Sequence, residues 1–144
     1  MIISDNQHPE YFKYASKQLN GNYSPEKGHK VITCVRTNGP ILAQAIFTGI
    51  SPGVKAELTV WATQHGLAGR EFFRAISRVV FEQWKCQRLT AITRASNANA
   101  HRGLMVMGFE FEAPLARWFG DEDGWCYRMF PEKCRWLTKA TNEQ

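Results

Sequence analysis

The stretch VWATQHGLAGREFFRAI, residues 60–76, changes from one hydrophobic pattern to another within a few residues. Its start continues the β-branched and aromatic run Val54–Ala62, which predicts a strand. From Gly69 to Lys85 the apolar side chains instead recur at spacings of three and four, as on one face of an amphipathic helix. These apolar residues are Phe72, Phe73, Ile76, Val79, Val80 and Trp84. We therefore predict a strand, a short glycine-containing loop and a helix.

The segments on either side of this stretch predict a mixed sheet. Arg88–Thr93 returns to strand character, so strand, helix and strand form a β-α-β unit whose two strands run parallel. Before it, the runs Lys30–Arg36, Ile41–Ile50 and Val54–Ala62 are separated by turns that contain Gly and Pro, which predicts three strands in an antiparallel meander.

The two ends of the chain complete the order of elements. Pro9–Leu19 has helical spacing, and Asn97–Met107 predicts another helix that ends at Gly108. Phe109–Glu112 and Trp125–Phe130 predict a closing pair of strands. The whole order predicts an α/β (α+β) fold, with a mixed, mostly antiparallel central sheet and helices on both faces.

Composition places the chain among ordinary globular proteins. Its 144 residues, 44% of them hydrophobic, predict one domain over residues 1–144. Residues 1–5 have no basic stretch followed by an apolar run, and no run of about 18 apolar residues occurs, so we expect a cytoplasmic protein without a membrane span. The four cysteines form no CxxC pair, which indicates reduced and mostly buried thiols. The histidines form no metal-binding motif, so no metal is expected.

The loop of the opening stretch is a candidate anion site. Gly66, Ala68 and Gly69 are small enough to let an anion approach the backbone, and the free N–H groups and dipole of a helix start favour negative charge. Arg70 is unfavourable at a helix start unless an anion is present, so a pyrophosphate would fit. The alternative is a glycine-containing turn followed by a solvated basic face.

Two motifs resemble one known family. Residues 60–76 resemble the fourth strand, acetyl-CoA pyrophosphate loop and third helix of the GNAT superfamily of N-acetyltransferases. Asn97-x-x-Ala100 followed by Gly108-Phe109 resembles the family's second motif at the expected spacing. The similarity spans Val31–Phe130, and the ending around Cys134–Leu137 resembles small acetyltransferase-like proteins encoded by tailed phages. The family implies a splayed parallel strand pair and acetyl transfer from acetyl-CoA to an amine.

The resemblance also implies which residues contact the cofactor. The backbone of the strand before the loop would pair with the pantetheine arm as an added strand, and N–H groups of the loop would hold the pyrophosphate. Asn97 would hydrogen-bond the arm near the thioester, a role compatible with a helix N-cap, and Arg70 or Arg102 would reach phosphates. The strand and loop residues are Thr59, Val60, Trp61, Ala62, Gly66, Leu67, Ala68, Gly69 and Arg70.

Two residues are candidates for proton transfer. Glu57 lies on the strand where the family often places a carboxylate, which makes it the candidate base; a solvated strand carboxylate is the alternative. The family's frequent general acid is a Tyr four residues before Gly108, but that residue is Leu104, which cannot protonate a thiolate. Tyr127 is the candidate replacement, and a core tyrosine is the alternative.

The charge of the chain leaves its partners open. The net charge of +5 favours an anionic partner, but Lys and Arg form no block, so a phosphate-bearing small molecule explains the charge as well as nucleic acid does. Five acidic residues between Glu110 and Asp123 could attract a cationic amine or solvate a hairpin.

Three functions follow from these observations. The first is an acetyl-CoA-dependent N-acetyltransferase acting on an unidentified amine. The second is a GNAT-like phage or virion protein that kept the fold and lost the chemistry, in line with Leu104. The third, a nucleic-acid-binding module, rests only on the charge and on scattered Trp and Arg residues, and it is the least favoured. A homodimer and a virion assembly both remain open.

Overall fold

The structure, a computed structural model, describes residues 1–63 and 69–137 of the chain. In these residues seven strands form one sheet in the order β1-β2-β3-β4-β5-β7-β6. The strands are β1 (Ile2–Ser4), β2 (Lys30–Val35), β3 (Ile41–Ser51), β4 (Lys55–Ala62), β5 (Arg88–Arg94), β6 (Glu110–Leu115) and β7 (Gly124–Met129). The predicted mixed sheet and the β2-β3-β4 meander are confirmed. Strand β1, which pairs antiparallel with β2, was not predicted.

The parallel pair of β4 and β5 separates before either strand ends. Its register runs from the Lys55–Arg88 pair to the Leu58–Ala91 pair, although β4 continues to Ala62 and β5 to Arg94. On its other side β4 stays paired with β3 as far as the Ala43–Ala62 pair. A gap therefore opens between the C-terminal ends of β4 and β5, as the family resemblance implied.

Three described α-helices flank the sheet: α1 (Pro9–Leu19), α2 (Gly69–Ser77) and α3 (Ala98–Met107). Helix α2 continues as a π-helical segment over Arg78–Gln83. The helix predicted over Gly69–Lys85 is therefore present, but it ends at Gln83 and its second half has wider turns than an α-helix. Short 3-10 turns occur at Pro25–Lys27 and Pro131–Lys133.

The helices bury the two faces of the sheet in two clusters. Helices α2 and α3 cover one face, which we call the α2/α3 face, where Phe72, Ile76 and Leu104 pack in the larger cluster. Helix α1 covers part of the other face, the α1 face, where Phe12 and Ala15 are buried against β2 and β3. Burying one such aromatic side chain contributes about 2 kcal/mol to stability. Side chains of β4 alternate between these two faces, because successive strand residues point in opposite directions.

All four cysteines are free and buried, as predicted. In the described part of the chain, no helix has the length and apolar character needed to cross a membrane. Residues 1–63 and 69–137 contain no group of three or more His, Cys, Asp or Glu side chains placed to hold a metal ion.

Candidate active site

A cavity of about 950 Å³ lies at the gap between β4 and β5 and is lined from both faces of the sheet. This volume is in the range of small-molecule sites. One set of lining residues belongs to the α2/α3 face, and we call that side of the cavity the α2/α3 mouth. The other set belongs to the α1 face, and we call that side the α1 mouth. The first set includes Phe72, Phe73, Asn97, Asn99, Ala100, Gly103, Leu104 and Met107. The second includes Leu19, Tyr23, Thr48, Glu57, Trp61, Trp118 and Phe119.

Main-chain groups of β4 face the gap. The Thr63 N–H donates to the Leu42 carbonyl of β3 at 2.9 Å. Because main-chain groups alternate in direction along an antiparallel pair, those of Val60 and Ala62 point away from β3 and toward β5. The β4–β5 register ends at Leu58, so within the described residues these groups have no strand partner. All four predicted backbone positions, residues 59–62, line the cavity.

Asn97 lies at the α2/α3 mouth and caps helix α3. Its Oδ1 accepts a hydrogen bond from the Ala100 N–H at 3.1 Å, and both residues line the cavity. The cap satisfies one of the free donors at the helix start, as the N-cap interpretation required. Its amide nitrogen remains a donor that can serve a ligand.

The predicted phosphate-binding residues are only partly described. Gly66, Leu67 and Ala68 lie outside the described residues, so their contact with a pyrophosphate stays a prediction. Gly69 begins α2 with a φ of 58°, a left-handed conformation that favours glycine. Arg70 is exposed in the first turn of α2. Arg102 is exposed on α3 and donates to Asn99 Oδ1, and it does not line the cavity.

Glu57 lies on the α1 face, where it lines the cavity. Its side chain is 45% exposed, and its Oε2 lies 3.7 Å from Lys55 Nζ. Gly49, with a φ of 54°, leaves room for it: a Cβ there would lie 2.7 Å from Glu57 Oε2. Among the described residues that line the cavity, Glu57 is the only carboxylate. A half-exposed carboxylate at this position is accessible to an amine.

Tyr127 is buried in the core of the α2/α3 face and does not line the cavity. Its hydroxyl lies 2.7 Å from His101 Nδ1, and His101 Nε2 lies 2.9 Å from the Ala95 carbonyl. A carbonyl can only accept, so a neutral His101 carries its proton on Nε2 and accepts from the Tyr127 hydroxyl at Nδ1. Burial raises the pKa of Tyr127. The structure therefore does not bring Tyr127 to Glu57, and its geometry favours the core tyrosine over the acid.

The acidic residues of the β6–β7 region bind side chains and backbone of this chain. Asp121 Oδ1 and Glu122 Oε1 accept from Arg94 Nη1 at 3.0 and 3.2 Å. The pKa of Asp121 is lowered by the Arg94 hydrogen bond, and that of Glu122 first by its hydrogen bond from the Ser96 hydroxyl. Glu112 pairs with Arg88, which lowers its pKa. These pairs tie the β6–β7 region to strand β5.

Sequence reasoning missed most of the α1 mouth. Leu19 ends helix α1, Tyr23 follows it, and Trp118 and Phe119 lie between β6 and β7. The only signal in the sequence is the adjacent aromatic pair Trp118-Phe119 in a segment otherwise typical of a hairpin turn. Periodicity places Leu19 on the apolar face of helix α1, but it gives no indication of Tyr23, Trp118 or Phe119, which lie outside the helices and strands.

Comparisons with known proteins identify the fold. No family model and no curated protein match the chain. The spermidine N-acetyltransferase from Vibrio cholerae in complex with CoA and spermine is 11% identical, with a TM-score of 0.65 over 86% of this chain and 76% of that one. The ribosomal-protein-S5-alanine acetyltransferase from Vibrio fischeri is 16% identical, with a TM-score of 0.65 over 88% and 74%.

A GNAT-family acetyltransferase from Bacillus anthracis is 15% identical, with a TM-score of 0.61 over 88% of this chain and 84% of that one. The chain thus has the fold of the GNAT acetyltransferases. The resemblance of its ending to phage proteins gains no support from these structures.

Proposed function

We propose that this chain is an N-acetyltransferase that moves an acetyl group from acetyl-CoA to an amine. The observation that carries the proposal is the gap between β4 and β5, where main-chain groups of Val60 and Ala62 with no strand partner among the described residues face a cavity lined from both faces of the sheet. Acyl transfer between two molecules requires that both reach one point in a fixed orientation. A cavity with a mouth on each face allows the two substrates to enter separately and meet.

The α2/α3 mouth suits the cofactor. The pantetheine arm carries amide groups, which can pair with Val60 and Ala62 as an added strand does. The amide nitrogen of Asn97 can donate to the same arm. The start of α2, with Arg70, provides a positive dipole end and a cation for the pyrophosphate, together with the predicted contacts of Gly66–Ala68. Arg102 on α3 is a second candidate for a phosphate.

The α1 mouth then receives the amine, and Glu57 acts as the base. Glu57 takes a proton from the ammonium group, either directly or through one water, which leaves a neutral nitrogen. The nitrogen attacks the thioester carbonyl, and main-chain N–H groups at the gap stabilise the oxyanion. The C–N bond forms, the C–S bond breaks, and the attacking nitrogen loses its second proton to solvent or to the departing thiolate, which leaves a neutral amide. Thiols have pKa values of about 8.5, so the CoA thiolate can leave without a general acid. Leu104 at the usual Tyr position is therefore compatible with activity.

Calorimetric titration with acetyl-CoA tests the cofactor site. We expect saturable binding that Arg70→Glu weakens by about tenfold or more, because the substitution places an anion beside the pyrophosphate. Lys17→Glu, a matched charge reversal at an exposed site on α1, should change the affinity by less than about twofold. No saturable heat at millimolar acetyl-CoA would contradict the proposal.

A turnover assay separates the enzyme from the binding protein. Release of CoA thiol in the presence of an amine supports catalysis. Tight acetyl-CoA binding without thiol release from any amine tested would instead favour the second candidate, a GNAT-like binding protein, for which Leu104 is the observation in the structure.

A further inference from the structure

The α1 mouth is built from aromatic side chains that come from distant parts of the sequence. Tyr23, Trp61, Trp118 and Phe119 all line the cavity on this face. Trp118 is 55% exposed. An indole with this exposure at the edge of a cavity offers an apolar ring surface that a ligand can bury.

Two glycines make room for two of these rings. A Cβ at Gly124 would lie 2.9 Å from Trp118 Cβ and 3.0 Å from its Cγ, so the indole occupies the space that a side chain would take. A Cβ at Gly21 would lie 2.6 Å from Tyr23 Cε2. Both rings are therefore seated against backbone, which holds them at the mouth.

The other two rings are held by polar contacts. Trp61 Nε1 donates to Gln44 Oε1 at 2.9 Å. The guanidinium carbon of Arg94 lies 4.5 Å from the centroid of the Phe119 ring, and Asp121 and Glu122 hold Arg94 in place. The mouth is thus a preorganised aromatic surface, which lowers the entropy cost of binding a flat apolar group.

Charge at this mouth fits one ammonium group and not several. Glu57 is the only carboxylate among the described lining residues. Asp121 and Glu122 accept hydrogen bonds from Arg94 and lie outside the lining, whereas Arg94 itself is part of it. The guanidinium of Arg94 is offset by Asp121 and Glu122, and these two carboxylates are engaged by it, so the described lining offers a second ammonium group no free carboxylate to pair with.

We propose that the acceptor is a monoamine with an aromatic body, of the arylalkylamine class, and not a polyamine. Its ring lies against Trp118 and Phe119, and its ammonium group faces Glu57. This inference rests on the proposed function and specifies its substrate. In the reaction the amine nitrogen gains the acetyl group, its first proton passes to Glu57, its second passes to solvent or to the departing sulfur, and CoA leaves.

The experiment measures amine binding to the full chain, with and without CoA, by calorimetry. The probes are 2-phenylethylamine, 2-phenylethanol, which lacks the ammonium group, and spermidine. We expect the Kd of 2-phenylethylamine to be at least about tenfold lower than that of either other probe. Spermidine binding as tightly as 2-phenylethylamine, or more tightly, would overturn the inference.

Matched variants locate the binding. Trp118→Ala should raise the Kd of 2-phenylethylamine by about tenfold, because the ring contact is lost. Phe111→Ala, at an aromatic side chain that is 47% exposed and does not line the cavity, should change it by less than about twofold. Equal effects of the two substitutions would overturn the inference.

Turnover distinguishes this inference from the proposed function. If 2-phenylethylamine binds as expected but releases no CoA thiol, the binding site stands and the proposed enzyme fails. If thiol release occurs with spermidine in preference to 2-phenylethylamine, the proposed enzyme stands and the arylalkylamine inference is overturned.

Discussion

The two mouths of the cavity are made in different ways. The α2/α3 mouth presents main-chain groups of Val60 and Ala62 and the N-terminal end of α3. The α1 mouth presents side chains that come from five segments, at Leu19–Tyr23, Thr48, Glu57–Trp61, Arg94 and Trp118-Phe119. Backbone contacts keep their geometry whatever side chains surround them, whereas side-chain contacts change with each substitution. The first mouth therefore suits a constant cofactor, and the second sets the choice of acceptor.

The largest expected effect is a loss of turnover at the α1 mouth with unchanged cofactor binding at the α2/α3 mouth. Glu57→Gln should lower kcat by about 10²-fold or more, because the general base is removed, and leave the Kd of acetyl-CoA within about twofold. Steady-state kinetics and calorimetry measure the two quantities. Glu10→Gln, at an exposed glutamate of α1, is the control and should change neither. A full loss of acetyl-CoA binding in Glu57→Gln would show that the two mouths are not separate.

The next largest effect is expected on acetyl-CoA binding at the α2/α3 mouth alone. Ala62→Pro removes an N–H that faces the gap and should weaken acetyl-CoA binding by more than about tenfold, with little change in Tm. Thr63→Pro removes an N–H that bonds to the Leu42 carbonyl, so its main effect should be a lower Tm. The reverse pattern would contradict the assignment of main-chain directions on β4.

The smallest effect on activity is expected at Tyr127, which belongs to neither mouth. Tyr127→Phe removes the hydrogen bond to His101 and should lower the free energy of unfolding by about 1 kcal/mol, measured in urea. The kcat should stay within about twofold. A fall in kcat of about 10²-fold or more would restore Tyr127 as the general acid and show that the phenol reaches the cavity during turnover.

The part of the fold that the sequence predicts well is the part with regular periodicity. The change of hydrophobic period between β4 and α2 can be read from neighbouring residues. The same holds for the end of α3, where Gly108 has a φ of 101° that favours glycine. The π-helical segment Arg78–Gln83 escaped prediction because its apolar residues have the same spacing as an α-helix. Strand β1 escaped because three residues are too short to establish alternation.

The residues that could be predicted from the sequence lie mainly at the α2/α3 mouth, and those that could not lie mainly at the α1 mouth. Residues 59–62 and Asn97 could be predicted, because strand and helix patterns place them and a family motif includes them. Trp118 could not, because its position depends on the absence of a side chain at Gly124, six residues away in a different element. Tyr127 could not be assigned correctly for a related reason. Strand alternation predicts which face of the sheet a side chain lies on, but it does not predict whether a helix buries that side chain, as happens at Tyr127.

The most direct test of the two-mouth account is amide hydrogen exchange at single residues of β4, followed by NMR with and without acetyl-CoA. The N–H groups of Val60 and Ala62 face the gap, so acetyl-CoA should slow their exchange by about tenfold or more. The N–H of Trp61 points toward β3 and should change far less. Unchanged exchange at Val60 and Ala62 under saturating acetyl-CoA would contradict the claim that the cofactor pairs with β4.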